Sequence, residues 1–258
     1  MEVHHHPDLH HKAKPWKEYL LEYLMIFLAV MTGFFAESFR EHLGDKSKER
    51  EYLVSLVAEL RADTMRYNKC LGDIRKMRPN LDSLFVNASH PEHYNYIIKG
   101  KWNTPVNENG VSYMPTLSSI QQLKSSGNLR LIGNKDIALQ MITYETYIDG
   151  EYRHHFAAVD AAAEKLYGWE DILCDETDFN NKVNGNILDE RDNDDQQHTG
   201  VFDMPIKVRD NVQLNQLANS VVNFNSRCWG YMTAVKRAKA MAKALIDDIQ
   251  KKYKLQNE

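Results

Sequence analysis

The chain has 258 residues, 43% apolar and 26% charged, which is enough to pack one large or two modest domains and excludes a wholly disordered chain. Its formal net charge is −4 and no dense basic stretch lies outside the chain ends, so no nucleic-acid partner is expected. Three widely spaced cysteines, Cys70, Cys174 and Cys228, argue against a CxxC metal site and a disulfide framework, and they read as ordinary buried thiols.

Residues 1–17 form a His/Lys-rich tail. Within "HHHPDLHH" stand His4, His5, His6, His10 and His11, with Asp8 between them. Imidazole is the commonest transition-metal ligand, so these five are the candidate ligands if the chain holds a metal. An exposed tail is the plainer reading. A pH response is a further one, because histidines titrate near ~6.5. No other cofactor is expected.

Residues 18–40 read as a transmembrane helix. Tyr23 to Ala36 carry no charge, and Tyr19 to Phe39 are interrupted only by Glu22, Glu37 and Ser38. As a helix these 21 residues rise ~31 Å, matching a ~30 Å hydrocarbon core. No small-x-small cleavage site follows, so a signal anchor is expected rather than a cleaved signal peptide. On a helical projection at about 100° per residue, Glu22, Ala29, Gly33, Ala36, Glu37 and Arg40 share one side. Phe27, Met31, Phe34 and Phe35 lie opposite. Ala29-x-x-x-Gly33 is a small-xxx-small pair, which lets two helix backbones approach closely. The face therefore reads as an oligomer seam with an acid at each end. Alternatively, rings of Glu22 and Glu37 would gather cations or relay protons along a conducting path. The plain alternative for Glu37 is an ion pair with Arg40. Lysines and arginines flank the run almost equally, so charge does not fix its orientation.

Residues 41–258 read as a soluble helical domain. Helix is expected from Arg40 to about Arg78, with a kink or a new helix at Pro79. Leu53, Leu60, Tyr67, Ile74 and Leu81 share one heptad position. Leu56, Asp63, Cys70, Met77 and Leu84 share the other. Leu53, Leu56, Leu60, Tyr67 and Ile74 thus mark a helix seam, which packs either on the chain's own bundle or on a second copy. Residues 88–115 form a loop-rich insertion with a turn at "NENG" and a short hairpin strand expected over Val111–Met114. A helix opens near Thr116 and stops at Gly127. Another runs from Lys135 to about Leu173. Residues 175–205 are an acidic loop, and helix returns from Val212 to Tyr253.

Other motifs carry no chemistry. "HPEH" lacks HExxH spacing. "DERDNDD" fails the EF-type calcium pattern, which needs a glycine at its sixth place. There is no phosphate loop and no GxSxG, so nothing points to an enzyme.

The order "EVHHHPDLHHK…WKEYLLEYLMIFLAVMTGFFAESFREH…KEREYLVSLVAELRADT", with "LKSSGNLRLIGNKDIALQMITYE", resembles a family of single-span inner-membrane proteins of Bacteroidota carrying a domain of unknown function. The likeness is strongest over residues 2–65 and weaker over 116–146. It implies an inner-membrane location, a short cytoplasmic N-terminus and a periplasmic helical domain, and it implies no catalytic residues. The expected whole is mainly α: one N-terminal transmembrane helix continuing into a long-helix bundle with a small loop/hairpin insertion. The expected partners are the lipid bilayer, a second copy of the chain and another envelope protein. The leading role is assembly or partner binding. The alternatives are a small ion channel and a metal- or pH-responsive sensor.

Overall fold

The structure, a computed structural model, describes residues 15–89, 96–98, 112–173, 203–205 and 210–255. His4, His5, His6, His10 and His11, the His90/His93 pair, the "NENG" turn, Cys174 and the acidic run "DERDNDD" lie outside the described residues. The fold is mainly α-helical. Two compact units divide it, one ending at Glu51 and one beginning at Tyr52.

Helix α1 (Trp16–Ser89) contributes to both units and contains Pro79. No new helix starts at Pro79: α1 runs through it. A proline inside a helix costs about 3 kcal/mol through a lost hydrogen bond and a clash with the preceding turn. Met77, Leu81, Leu84 and Ala88 are buried on either side of it. Full burial of one large apolar side chain stabilises by about 1.5–3 kcal/mol, so this packing outweighs the proline.

In the second unit, α2 (Ser118–Ser125) is followed by a 3₁₀ turn over Asn128–Leu131. Between them Gly127 takes φ 69°, a left-handed conformation that glycine adopts without Cβ strain. Helix α3 (Lys135–Tyr147) starts at Asn134, whose side chain accepts from the N–H groups of Asp136 and Ile137, both at 3.1 Å. A π turn over Ile148–Tyr152 leads into α4 (Arg153–Leu173). Helix α5 (Asn211–Tyr253) is capped by Asp210, which accepts from Val212 N–H at 3.2 Å. Helix α5 packs against α3, the π turn and α4. At Gly230 its backbone comes close to α4: an added Cβ would meet His155 ring atoms at 3.1 and 3.2 Å. His155 is half-buried there while His154 faces solvent.

The hairpin strand expected over Val111–Met114 is not found; Ser112–Met114 is not strand. The short strand is β1 (Tyr96–Ile98), which pairs antiparallel with the distant β2 (Asp203–Pro205) in the register Tyr96↔Pro205, Ile97↔Met204 and Ile98↔Asp203. Local turn signals report only sequence neighbours, so they cannot reveal a partner this far along the chain. Among the described residues this is the whole of the sheet structure.

Candidate functional site

In the first unit, Glu22, Ala29, Gly33, Ala36, Glu37 and Arg40 are all exposed, and so are the large apolar residues from Trp16 to Leu43 except the half-buried Met31. Among the described residues, none of its most apolar window is buried. An added Cβ on Gly33 would meet open space. Arg40 donates to both carboxylate oxygens of Glu37, with Nε to Oε2 at 3.0 Å. The plain alternative for Glu37 is thus the arrangement present, and its charge is locally balanced. Thr32 hydroxyl turns back on its own helix, donating to the Leu28 and Ala29 carbonyls at 2.9 Å, so this hydroxyl is satisfied within the helix.

In the second unit, Leu53, Leu56, Leu60, Tyr67 and Ile74 are buried in the chain's own core with α3, α4 and α5 residues. This seam is occupied within the single chain. The exception in the heptad pattern, Asp63, is also fully buried. Its carboxylate accepts from the Tyr113 hydroxyl and from Thr116 N–H, at 3.2 and 3.3 Å to its two oxygens. One helical turn earlier, Glu59 accepts from Ser119 N–H at 3.1 and 3.2 Å and from the Ser118 hydroxyl. Glu59 thereby caps the N-terminus of α2, whose own cap residue, Leu117, offers no acceptor. Two carboxylates on one face of α1 thus fasten residues 113–119.

Behind that fastening lies a layer of buried tyrosines. Tyr67 and Tyr144 hydroxyls meet at 3.0 Å, as do those of Tyr152 and Tyr231. Tyr113 N–H donates to the Tyr231 oxygen at 2.7 Å, and Tyr113 carbonyl accepts from both Tyr231, at 2.9 Å, and Tyr152. The π turn serves this layer by bringing Ile148 and Tyr152 inward after Tyr144. Burial raises the pKa of Tyr67, Tyr144, Tyr152 and Tyr231 above the usual tyrosine value. Burial likewise pushes the Cys70 thiol up to about 11 and Cys228 up to about 12. Such groups hold their protons, so the layer supplies neither a base nor a nucleophile near neutral pH.

Cys70 and Cys228 are therefore expected to resist alkylation at pH 8 in the folded protein and to react on unfolding, read by mass spectrometry of the modified peptides. The linkage has a definite sign. With folded pKa values above the unfolded ~8.5, the thiols' contribution is complete below that pH and is lost as pH rises through 11 to 12.

Among the described residues, no group of three or more His, Cys, Asp or Glu is placed to hold a metal ion. Comparison with family models, curated proteins and solved structures finds no match to this chain. The fold itself gives the class: a helix-rich chain with one N-terminal helix long and apolar enough to cross a membrane, and a helical region beyond it.

Proposed function

We propose that the chain is a single-span membrane protein that self-assembles, with a helical domain outside the bilayer acting as a scaffold or partner-binding module rather than an enzyme. The observation that carries the reading is the bare apolar surface of α1 from Trp16 to Leu43. A soluble fold would bury such a surface, because each large apolar side chain left in water forgoes about 1.5–3 kcal/mol. A bilayer removes that cost. The internal back-bonding of Thr32 and the Glu37–Arg40 pair suit the same surroundings. The seam reading rests on Ala29, Gly33 and Ala36, which leave a smooth exposed strip on that helix. The resemblance noted above supplies the orientation: N-terminus in the cytoplasm of a bacterial inner membrane, helical domain in the periplasm.

Alkaline carbonate extraction of membranes tests the span. The chain is expected to stay in the pellet; release into the supernatant would overturn the reading. A cysteine introduced near the C-terminus, probed with a membrane-impermeant maleimide on intact spheroplasts, tests the orientation.

A further inference from the structure

The second unit begins at Tyr52, and from there α1 leads back to the apolar run. Three other parts of the fold gather at this end of the bundle. The 3₁₀ turn reaches it where Asn128 donates from Nδ2 to the Tyr52 hydroxyl at 3.2 Å. The start of α3 meets the end of α5 where Asn134 N–H donates to the Tyr253 hydroxyl at 3.4 Å. Tyr52, Leu129, Tyr253 and Leu255 pack on one core. This end is basic. Residues 125–136 and 249–255 hold Arg130, Lys135, Lys251, Lys252 and Lys254 against one acid, Asp136, in a chain of net charge −4. All five cations are exposed, and none is in an ion pair among the described residues. At the far end of α1 and the start of α5, residues 81–89 and 210–226 carry no cation. The last-turn lysines of α5 suit its helix dipole, but Lys135 is the first residue of α3, where a cation opposes the dipole. Local helix electrostatics therefore do not account for the whole group.

We propose that this basic end docks on the anionic lipid headgroups of the membrane that the span crosses. Charge and chain length select that partner. Tyr52 follows Arg40, where the span ends, by twelve residues, ~18 Å of helix. The headgroup layer takes up ~6 Å of this. Long lysine and arginine side chains and a Debye length of ~8 Å cover the rest. The linking residues 41–51 carry four acids and three cations, so the attraction comes from the bundle end and not from the link. Each Lys or Arg near an anionic leaflet strengthens binding about fivefold. A soluble polyanion offers the same charge, but only the lipid surface is held beside this end by the chain itself, at a high effective concentration. In that respect the proposal rests on the membrane reading above.

The test uses the full-length chain reconstituted in vesicles, with a fluorophore attached through Ser125→Cys, an exposed site at this end, in a Cys174→Ser background. A nitroxide on the lipid headgroups is expected to quench it in phosphatidylcholine vesicles containing about 30% phosphatidylglycerol. Most of that quenching is lost in phosphatidylcholine alone or in about 0.5 M salt. Lys251→Gln with Lys252→Gln weakens the docking about 25-fold, read from the quenched share over a phosphatidylglycerol titration. Lys236→Gln with Lys243→Gln removes the same charge from the middle of α5 and leaves quenching unchanged. All four lysines are exposed, so folding is retained, and the circular dichroism melt checks this. Equal quenching in the two kinds of vesicle, quenching indifferent to the Lys251/Lys252 pair, or an equal loss from both pairs would each overturn the proposal. Flotation after an alkaline wash separates the two failures. A chain that no longer floats with the vesicles lacks the span, and this docking falls with it; a chain that floats with an unquenched fluorophore overturns the docking alone.

Discussion

Asp63→Ala is expected to destabilise the second unit by about 3 kcal/mol, whereas Asp63→Asn costs less than about 1 kcal/mol. The alanine strips the Tyr113 hydroxyl and Thr116 N–H of their acceptor in a buried place, and each orphaned donor costs about 1–3 kcal/mol. Against this stands the relief of removing a desolvated carboxylate, which keeps the sum near the lower end. The asparagine keeps an acceptor oxygen and has no charge to desolvate. For a unit of this size about 3 kcal/mol lowers the melting temperature by roughly 6–12 °C. Thermal unfolding of the detergent-solubilised full chain, followed by circular dichroism, measures it. A melting temperature unchanged by Asp63→Ala would show that the fastening of residues 113–119 is dispensable.

The two proteins also differ in pH dependence. Burial raises the Asp63 carboxyl, outweighing the hydrogen bonds from Tyr113 and Thr116 that lower it. The folded chain therefore holds this proton more tightly than the unfolded chain does. That contribution is complete below the unfolded value of ~3.9 and is lost as pH rises through the raised folded value. The parent's stability relative to Asp63→Asn should thus fall with rising pH across that window and then level off. A difference that rises with pH instead would mean that the hydrogen bonds, not burial, dominate the carboxylate.

Asp63 also marks how far the sequence can be read. It is the one polar residue among the ten heptad positions from Leu53 to Leu84, and nine apolar neighbours in register were enough to expect a packed helix. Its partners were not legible, because Tyr113 and Thr116 lie about 50 residues away in a Pro/Gly-rich stretch with no periodicity. The bounds of α5 were legible to within a residue, since three- and four-residue steps persist from Val212 to Tyr253. The π turn left a trace that periodicity alone does not decode. Tyr144, Ile148, Tyr152 and Phe156 recur at successive four-residue steps, and each such step rotates an α-helix by ~40° past a full turn. Three in a row would carry Phe156 well off the core face. One wider turn over Ile148–Tyr152 takes up part of that drift, and Tyr152 stays buried. The heptad face of α1 was legible as a seam but not as to what it meets, because a core helix and a coiled coil share one pattern.

Gly33→Leu is expected to convert the detergent-solubilised chain from oligomer to monomer, with at least about a tenfold loss of the oligomer fraction in multi-angle light scattering. The substitution is informative because its effects within one chain run the other way. A Cβ at Gly33 meets no atom of the same chain within 4 Å. Leucine also favours helix over glycine by about 1 kcal/mol, so the isolated helix gains stability. Any loss of assembly must therefore arise between chains, where a leucine holds apart two backbones that Ala29 and Gly33 otherwise bring together. Phe34→Leu, on the opposite side, should leave the mass unchanged. An oligomer of undiminished mass in Gly33→Leu would place the assembly contact elsewhere than on the face shared by Glu22, Gly33 and Glu37.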